Sequence, residues 1–367
     1  MKELAAWVKR LHQIQPTDLA EYLFRAVVPG MQPLEMRGCM VATNPLGQIP
    51  ARPGDSSPVS VSVFRFLDIK EKQPTLQSHQ LVYEIAALLT IATERRIEIP
   101  AELTFRVKNS PQMTFVGYGD AADRRLIGPV SQDSTSLFLD WLGKVTSLPE
   151  PHLSIIGTAC NLHYGAVLLY HQDLRSAYLL LIAAIEVLSR QYGAPPIDWR
   201  EWEGSTKWDK LMSTLNLTDE QKSGVREHVM EDKHLRLKAT FKNYGATSTP
   251  DSFWEQSWQD YMCSVNASLG EWGELNTLKE KKIKDLLPHD RVLLAKSLGL
   301  SYDLRSGLVH RGAKLSMLEA ILPHNEMVKD DTPLPFALLR SVLLELIKLE
   351  TAKYSSEIPL PECKLLV

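Results

Sequence analysis

The residues of this chain that are best suited to chemistry are an arginine and a histidine near the C-terminus, Arg305 and His310. Arginine offers fixed, forked donors that fit phosphate oxygens. Histidine has a reference pKa of about 6.5 and can move a proton at neutral pH. The chain has 10 histidines, so this spacing arises roughly once by chance. The surrounding residues must therefore supply the specificity.

The pair is predicted to lie on a helix, because leucines recur at every fourth position to form a buried stripe. These leucines are Leu300, Leu304 and Leu308. At about 100° per residue, Arg305 and His310 then lie about 140° apart, at the two sides of a second face. A long guanidinium can still converge with the imidazole on one ligand. The second face also holds Tyr302, Ser306 and Val309. If this face packs on a two-fold mate, two such pairs line one cleft, which predicts a homodimer.

The string from Tyr302 to Gly312, which contains both residues, resembles the Arg-x(4 to 6)-His motif of the HEPN superfamily, in particular its ApeA-like branch from bacterial defence proteins. Three surrounding features are similar too. An apolar helix with an internal glutamate, Tyr178 to Arg190, lies far upstream; a connecting helix precedes the motif; and a leucine-rich helix, Phe336 to Lys353, closes the domain. The resemblance covers about residues 150 to 355.

The resemblance implies a metal-independent endoribonuclease that acts in bacterial anti-phage defence or as a regulated toxin. RNA is the substrate, and no cofactor or metal is expected. In such a reaction the ribose 2′-hydroxyl attacks its own phosphate, with His310 as the acid/base group and Arg305 stabilising the phosphate. The residue after the motif arginine, often Asn, Asp or His in the superfamily, is Ser306 here. It is still polar and joins the catalytic candidates.

A glutamate in the upstream helix is the fourth catalytic candidate. Glu186 and Arg190 are four residues apart, so they can form an ion pair that stabilises this helix. The resemblance implies in addition that Glu186 lies near the cleft, where it orients the histidine or the arginine. The two interpretations are compatible, and both stay open.

A competing hypothesis is a non-catalytic interaction or adaptor protein that uses the HEPN fold for dimerisation or ligand binding. Arg305 and His310 would then only cross-brace helices. RNA cleavage by the purified protein, compared with a double substitution at the motif, separates the two hypotheses.

Composition and charge narrow the function classes. The net charge of −3 over 367 residues excludes a protein that coats nucleic acid through bulk charge, so any contact with RNA needs a local basic patch. The 4 cysteines are scattered, as expected in a reducing cytoplasm, and the C-x-x-H formed by Cys160 and His163 favours core packing over a metal site. No apolar segment reaches the roughly 20 residues that span a bilayer. We therefore expect a cytoplasmic protein without membrane association.

The fold is predicted to be an α+β N-terminal domain, residues 1 to 135, followed by an all-α HEPN-like bundle with a helical insertion, residues 136 to 367. Helical periodicity marks residues 3 to 14, 18 to 28 and 78 to 92, and alternation marks strands at 59 to 66, 102 to 107 and 113 to 118. Turn-forming residues from 119 to 136 mark the boundary. The first domain is a candidate for sensing a phage-derived trigger, for binding a regulatory partner or for buttressing the second.

The insertion, roughly residues 195 to 285, is rich in tryptophan and holds a basic cluster. Its tryptophans are Trp199, Trp202, Trp208, Trp254, Trp258 and Trp272, and its basic residues are Lys233, His234, Arg236, Lys238 and Lys242. Aromatic and basic side chains together can bind unpaired bases and phosphates. The other interpretation is that the tryptophans pack the helices and the basic residues form a solvated face. We favour packing, and the basic residues remain the candidates for RNA binding.

Overall fold

The fold is taken from a computed structural model of the chain. The structure describes residues 1–13, 18–26, 34–36, 39–43, 57–65, 74–94, 97, 134–170, 172–232, 236–258, 281–311, 327–356 and 363–365. These residues are mostly helical, which confirms the helical-bundle part of the predicted fold class. The mixed N-terminal domain stays a prediction. Two of its three predicted strands, at 102 to 107 and 113 to 118, lie outside the described residues, as does most of the predicted boundary.

The helices are α1 (Lys2–Gln13), α2 (Pro74–Thr93), α3 (Ser134–Thr146), α4 (Glu150–Leu169), α5 (Leu174–Tyr192), α6 (Ser205–Thr214), α7 (Asp219–Glu231), α8 (Leu237–Ser248), α9 (Arg291–Arg311) and α10 (Phe336–Tyr354). The strands are β1 (Asp18–Ala26), β2 (Leu34–Met36), β3 (Cys39–Thr43), β4 (Ser57–Arg65), β5 (Ser257–Trp258), β6 (Lys281–Lys282) and β7 (Cys363–Leu365). None of the described helices is long and apolar enough to cross a membrane.

The chain forms two compact units. The first comprises Met1–Leu180, Ser257–Lys281 and Ile347–Val367, and the second comprises Leu181–Gln256 and Lys282–Leu346. In the first unit, α1 to α4 pack together around buried side chains that include Leu4, Ile85 and Phe138. The carboxylate of Glu84 is buried among them, where it accepts a hydrogen bond from the Leu4 amide at 2.8 Å and lies 2.7 Å from the Met1 ammonium. Such partners offset the cost of removing a carboxylate from water.

An antiparallel sheet also belongs to the first unit, with the strand order β1-β4-β3-β2-β7. Strand β4 confirms the strand predicted at 59 to 66. The helix predicted over residues 18 to 28 is wrong, because Asp18–Ala26 is a strand that pairs with β4 along its whole length. Its Tyr22 and Phe24 fit a strand well, and pairing with a distant segment outweighed the local helical periodicity.

The Cys160 and His163 side chains are both buried in α4, where they pack in the core. Burial raises the pKa of the Cys160 thiol to about 12. This thiol therefore stays protonated at neutral pH, as is usual for a cysteine that packs in an apolar core. Among the described residues, no group of three or more histidine, cysteine, aspartate and glutamate side chains is arranged to hold a metal ion.

Tryptophans fill the core of the second unit. Trp202 packs with Val229 and Ala239, and Trp199 and Trp208 lie against this cluster. Trp254 is fully buried, and its indole N–H donates to the Pro288 carbonyl at 3.1 Å. These positions support the packing interpretation of the insertion. Trp258 lies in β5, and Trp272 is outside the described residues.

A glycine at the end of α5 allows α8 to pack closely beside it. A Cβ atom at Gly193 would lie 2.5 Å from the Ser189 carbonyl oxygen and 3.0 Å from Cγ2 of Thr240. We therefore expect Gly193→Ala to lower the free energy of unfolding by about 1 to 3 kcal/mol, as overpacking does. Urea denaturation followed by circular dichroism measures this change.

The matched control is Gly224→Ala on the exposed face of α7, where nothing lies within 4 Å of the added Cβ. There the free energy of unfolding should rise by up to about 1 kcal/mol, because alanine is the better helix former. Equal effects of the two substitutions would contradict the close packing at Gly193.

Candidate functional site

Two arginines share one buried carboxylate in the second unit. Glu186, on α5, is only 4% exposed. Its Oε1 accepts a hydrogen bond from Nη2 of Arg190 at 2.5 Å, and its Oε2 lies 3.2 Å from Nη2 of Arg305 on α9. A carboxylate that is removed from water needs such partners. The structure thus brings together two of the four predicted catalytic residues, Glu186 and Arg305, and forms the expected ion pair between Glu186 and Arg190.

Arg305 is also held by an aromatic ring. Its guanidinium carbon lies 5.6 Å from the centroid of the Tyr302 ring, one turn earlier on α9, in a cation–π arrangement. The Tyr302 ring in turn packs against Phe241 of α8, with 5.2 Å between ring centroids. Burial, and the negative charge of Glu186, raise the pKa of the Tyr302 hydroxyl, so it stays protonated at neutral pH.

Part of the Arg305 side chain remains open to solvent. Its exposed fraction is 34%, whereas that of the Glu186 side chain is 6%. A guanidinium has five N–H donors, and the contact with Glu186 involves one of its terminal nitrogens. Donors are therefore left that can reach a ligand such as a phosphate.

The other two catalytic candidates also lie on α9. Ser306 is exposed, directly after Arg305. His310 belongs to the last turn of α9, but its side chain is outside the described part of the structure. The proximity of the imidazole to Arg305 therefore stays a prediction.

The buried stripe of α9 differs from the predicted one. Leu294, Leu298 and Ser301 are buried, whereas Leu300 and Leu304 are only partly covered, and the side chain of Leu308 lies outside the described residues. The cause is a buried serine that apolar periodicity does not reveal. The Ser301 hydroxyl donates to the Ser297 carbonyl at 2.9 Å and accepts from the Leu334 amide at 3.1 Å.

Two of the five candidates for RNA binding, Lys238 and Lys242 on α8, are paired with carboxylates. Nζ of Lys238 lies 2.7 Å from Asp303 and 3.2 Å from Glu203, and Nζ of Lys242 contacts the other oxygen of Glu203. Burial alone lowers the pKa of Lys238, but the hydrogen bonds to Asp303 and Glu203 and their charges outweigh it and raise this pKa. Lys238 therefore carries its charge at neutral pH, and both lysines already contact a carboxylate.

The remaining basic candidates are in different positions. Arg236 is buried, and its guanidinium donates to the Pro196 carbonyl at 2.6 Å. This position favours a structural role for Arg236. Lys233 and His234 lie outside the described residues.

Comparison with protein-family models gave no match, and comparisons with the curated proteins and with the solved structures gave none either. The HEPN resemblance therefore rests on the motif residues and stays a prediction.

Two residues of this site were not predicted from the sequence as members of it. Tyr302 stands three residues before Arg305, which is the spacing that stacks side chains on one helix face. This spacing is visible in the sequence and could have identified Tyr302. Glu203 has no such signal, because a short segment between helices brings it to α8.

The contact between Glu186 and Arg305 can be tested by a double-mutant cycle. Glu186→Gln is expected to lower the free energy of unfolding by about 1 to 3 kcal/mol, because the negative charge is lost and one of the two guanidinium groups then faces an amide NH2 donor. Combined with Arg305→Met, the two changes should be non-additive by about 0.5 to 3 kcal/mol, as for residues in contact. Guanidinium denaturation of the four proteins measures the coupling.

Glu220→Gln on α7 is the control, since Glu220 is exposed. It should change the free energy of unfolding by less than about 0.5 kcal/mol. Additive effects of Glu186→Gln and Arg305→Met would show that the pair contributes nothing.

Proposed function

We propose that the chain is a metal-independent endoribonuclease of the HEPN type that acts in the bacterial cytoplasm, in anti-phage defence or as a regulated toxin. The observation that carries the proposal is the contact between Glu186 and Arg305. The resemblance predicted that these two residues, which are far apart in the chain, lie near one cleft. A buried carboxylate that orients a partly exposed arginine is a suitable start for a site that binds a phosphate.

The reaction needs one proton-transfer group and one cation. His310 accepts the proton of the ribose 2′-hydroxyl as the 2′-oxygen bonds to the adjacent phosphorus. The bond from phosphorus to the 5′-oxygen then breaks, this oxygen takes up a proton from water, and His310 returns its proton to the solvent. Arg305 donates to the phosphate oxygens while negative charge accumulates on them. The products are a 2′,3′-cyclic phosphate and a 5′-hydroxyl end.

Two neighbours of Arg305 have supporting roles in this proposal. Glu186 fixes the guanidinium, so that less conformational entropy is lost when a phosphate binds. Ser306 is exposed and can add a hydroxyl donor beside the phosphate.

The first 135 residues are proposed to form the mixed α+β domain that controls this activity. A nuclease of this type must be inactive until a trigger arrives. Phage-derived material or a regulatory partner would bind to this domain.

The second candidate function is a non-catalytic interaction or adaptor protein. It is favoured by one observation, the sharing of Glu186 by Arg190 and Arg305, since that sharing is also what a purely structural brace between helices requires. Under this hypothesis the purified protein binds a partner and cleaves no RNA.

Cleavage of an unstructured RNA by the purified protein separates the two functions. Wild-type protein should cleave in the presence of EDTA and leave a 2′,3′-cyclic phosphate, because the attacking group is the hydroxyl of the substrate itself. His310→Ala should abolish cleavage, and Arg305→Ala should slow it by about 10²-fold or more. Product ends are identified by mass spectrometry.

Matched controls are His228→Ala and Arg200→Ala, two exposed residues of the second unit. Both control proteins should cleave RNA at the wild-type rate. Circular dichroism should show that these two proteins, and the His310→Ala and Arg305→Ala proteins, are folded. A His310→Ala protein that melts many degrees lower but still cleaves would make the histidine a structural residue and remove the main support for the nuclease.

The oligomeric state is a separate prediction. One motif supplies half of a symmetric cleft, so we expect a homodimer in solution, with the exposed Ser306 beside the two-fold axis. Tyr302, which was also expected on that face, is partly covered by Phe241. Light scattering at micromolar concentration checks the mass. A monomer with full nuclease activity would contradict this prediction.

A further inference from the structure

Two lysines, one turn apart on α8, hold a single carboxylate between them. Oε2 of Glu203 lies 3.2 Å from Nζ of Lys238, and its Oε1 contacts Nζ of Lys242. Lys238 also lies 2.7 Å from Asp303 of α9. Burial alone raises the pKa of Glu203, but the two lysines outweigh it and hold this pKa below its usual range. Glu203 is therefore an anion at neutral pH.

A closely packed segment presents Glu203 to the lysines. The preceding Trp202 is buried against Ala239, the residue after Lys238. The following Gly204 lies so close to the Trp202 ring that a Cβ atom there would overlap the ring. Glycine is therefore required at this turn, and the turn aims Glu203 at α8.

Two lysine ammonium groups that hold one anion between them can also bind a phosphate. We propose that Lys238 and Lys242 form a binding site for a phosphate of single-stranded RNA, and that Glu203 occupies this site until RNA displaces it. This inference rests on the proposed ribonuclease function, because RNA is the substrate named there. It adds a second RNA-binding site, which Glu203 occupies in the absence of RNA.

The carboxylate can be displaced because its side chain is 42% exposed. Solvent at the carboxylate screens its attraction to the lysines, whose side chains are 32% and 20% exposed. RNA offers a series of phosphates and gains further from the release of its counterions, so it can compete with one carboxylate. When Glu203 leaves, the two lysines and Asp303 keep a net charge of +1, whereas the four groups together are neutral.

Packed aromatic side chains connect α8 to the candidate catalytic residue Arg305. Phe241, which stands between the two lysines in α8, packs against Tyr302, and Arg305 lies over the Tyr302 ring. Lys238 contacts Asp303, which lies about 160° from Arg305 around α9 because the two residues are two positions apart. A strand of RNA that reaches both sites therefore has to pass around α9. The lysines would bind a phosphate that is not cleaved, and Arg305 would bind the one that is.

The test measures RNA binding apart from cleavage, by using His310→Ala protein throughout. A fluorescently labelled oligouridylate is titrated and its polarisation is followed. Glu203→Gln should tighten binding about fivefold, and the plot of log affinity against log salt should steepen by about 0.7 for each additional phosphate bound. When Lys238 and Lys242 are both changed to alanine, the gain from Glu203→Gln should vanish.

Glu220→Gln, which removes the same charge from the exposed face of α7, is the control and should change affinity less than twofold. Thermal melts verify folding, and Glu203→Ala should behave as Glu203→Gln does. Equal affinities of the Glu203→Gln and Glu220→Gln proteins, or a gain that survives without the lysines, would overturn this inference.

The two proposals fail in different ways. If Glu203→Gln tightens binding but protein with an intact His310 cleaves no RNA, the nuclease fails and the binding site stands. If that protein cleaves RNA but Glu203→Gln leaves affinity unchanged, the second RNA-binding site fails and the nuclease stands.

Discussion

The buried carboxylate of Glu186 is the constraint on which the geometry of the candidate site depends. A charged oxygen in an apolar helix is costly unless cations compensate it, and here Arg190 and Arg305 do so from two helices. Only a narrow range of rotations of α9 about its axis keeps Arg305 within reach of α5. Because Glu186 fixes Arg305, it also fixes the side of α9 that carries Tyr302, and thereby the ring that meets Phe241 of α8.

Local signals explain most of what could be predicted of the fold. Asp173, just before the helix that carries Glu186, is a residue type that caps helices, and its carboxylate accepts from the Arg175 and Ser176 amides. The capping signal and the apolar periodicity both lie within a few residues of the structure that they specify. The strand at 18–26 is not specified by nearby residues, because its partner is the distant β4. No window around Tyr22 contains the information that decides between a helix and a strand.

In the candidate site, too, features that depend on nearby residues could be predicted, and features that depend on distant contacts could not. The spacing within α9 predicted that Arg305 lies on a helix, and the motif directed attention to Glu186. The rotation of α9 was predicted wrongly, because the buried Ser301 counts as polar in a sequence although its hydroxyl is fully bonded. Glu203 could not be found at all. Its contact with α8 depends on how a Trp-Glu-Gly turn packs, and hydrophobic periodicity does not encode this packing.

The two roles open to Arg305, catalysis and the bracing of two helices, make opposite demands on charge. A brace needs only neutral pairing, whereas a phosphate site must keep an excess of positive charge. Glu186 alone would cancel the charge of Arg305 and repel a phosphate. Arg190 supplies the second cation, so one carboxylate and two guanidinium groups keep a net charge of +1. Since Arg305 also remains one-third exposed, the cluster keeps both the charge and the open donors that a phosphate requires. Arg190 is therefore the residue that makes a structural role and a catalytic role of Arg305 compatible.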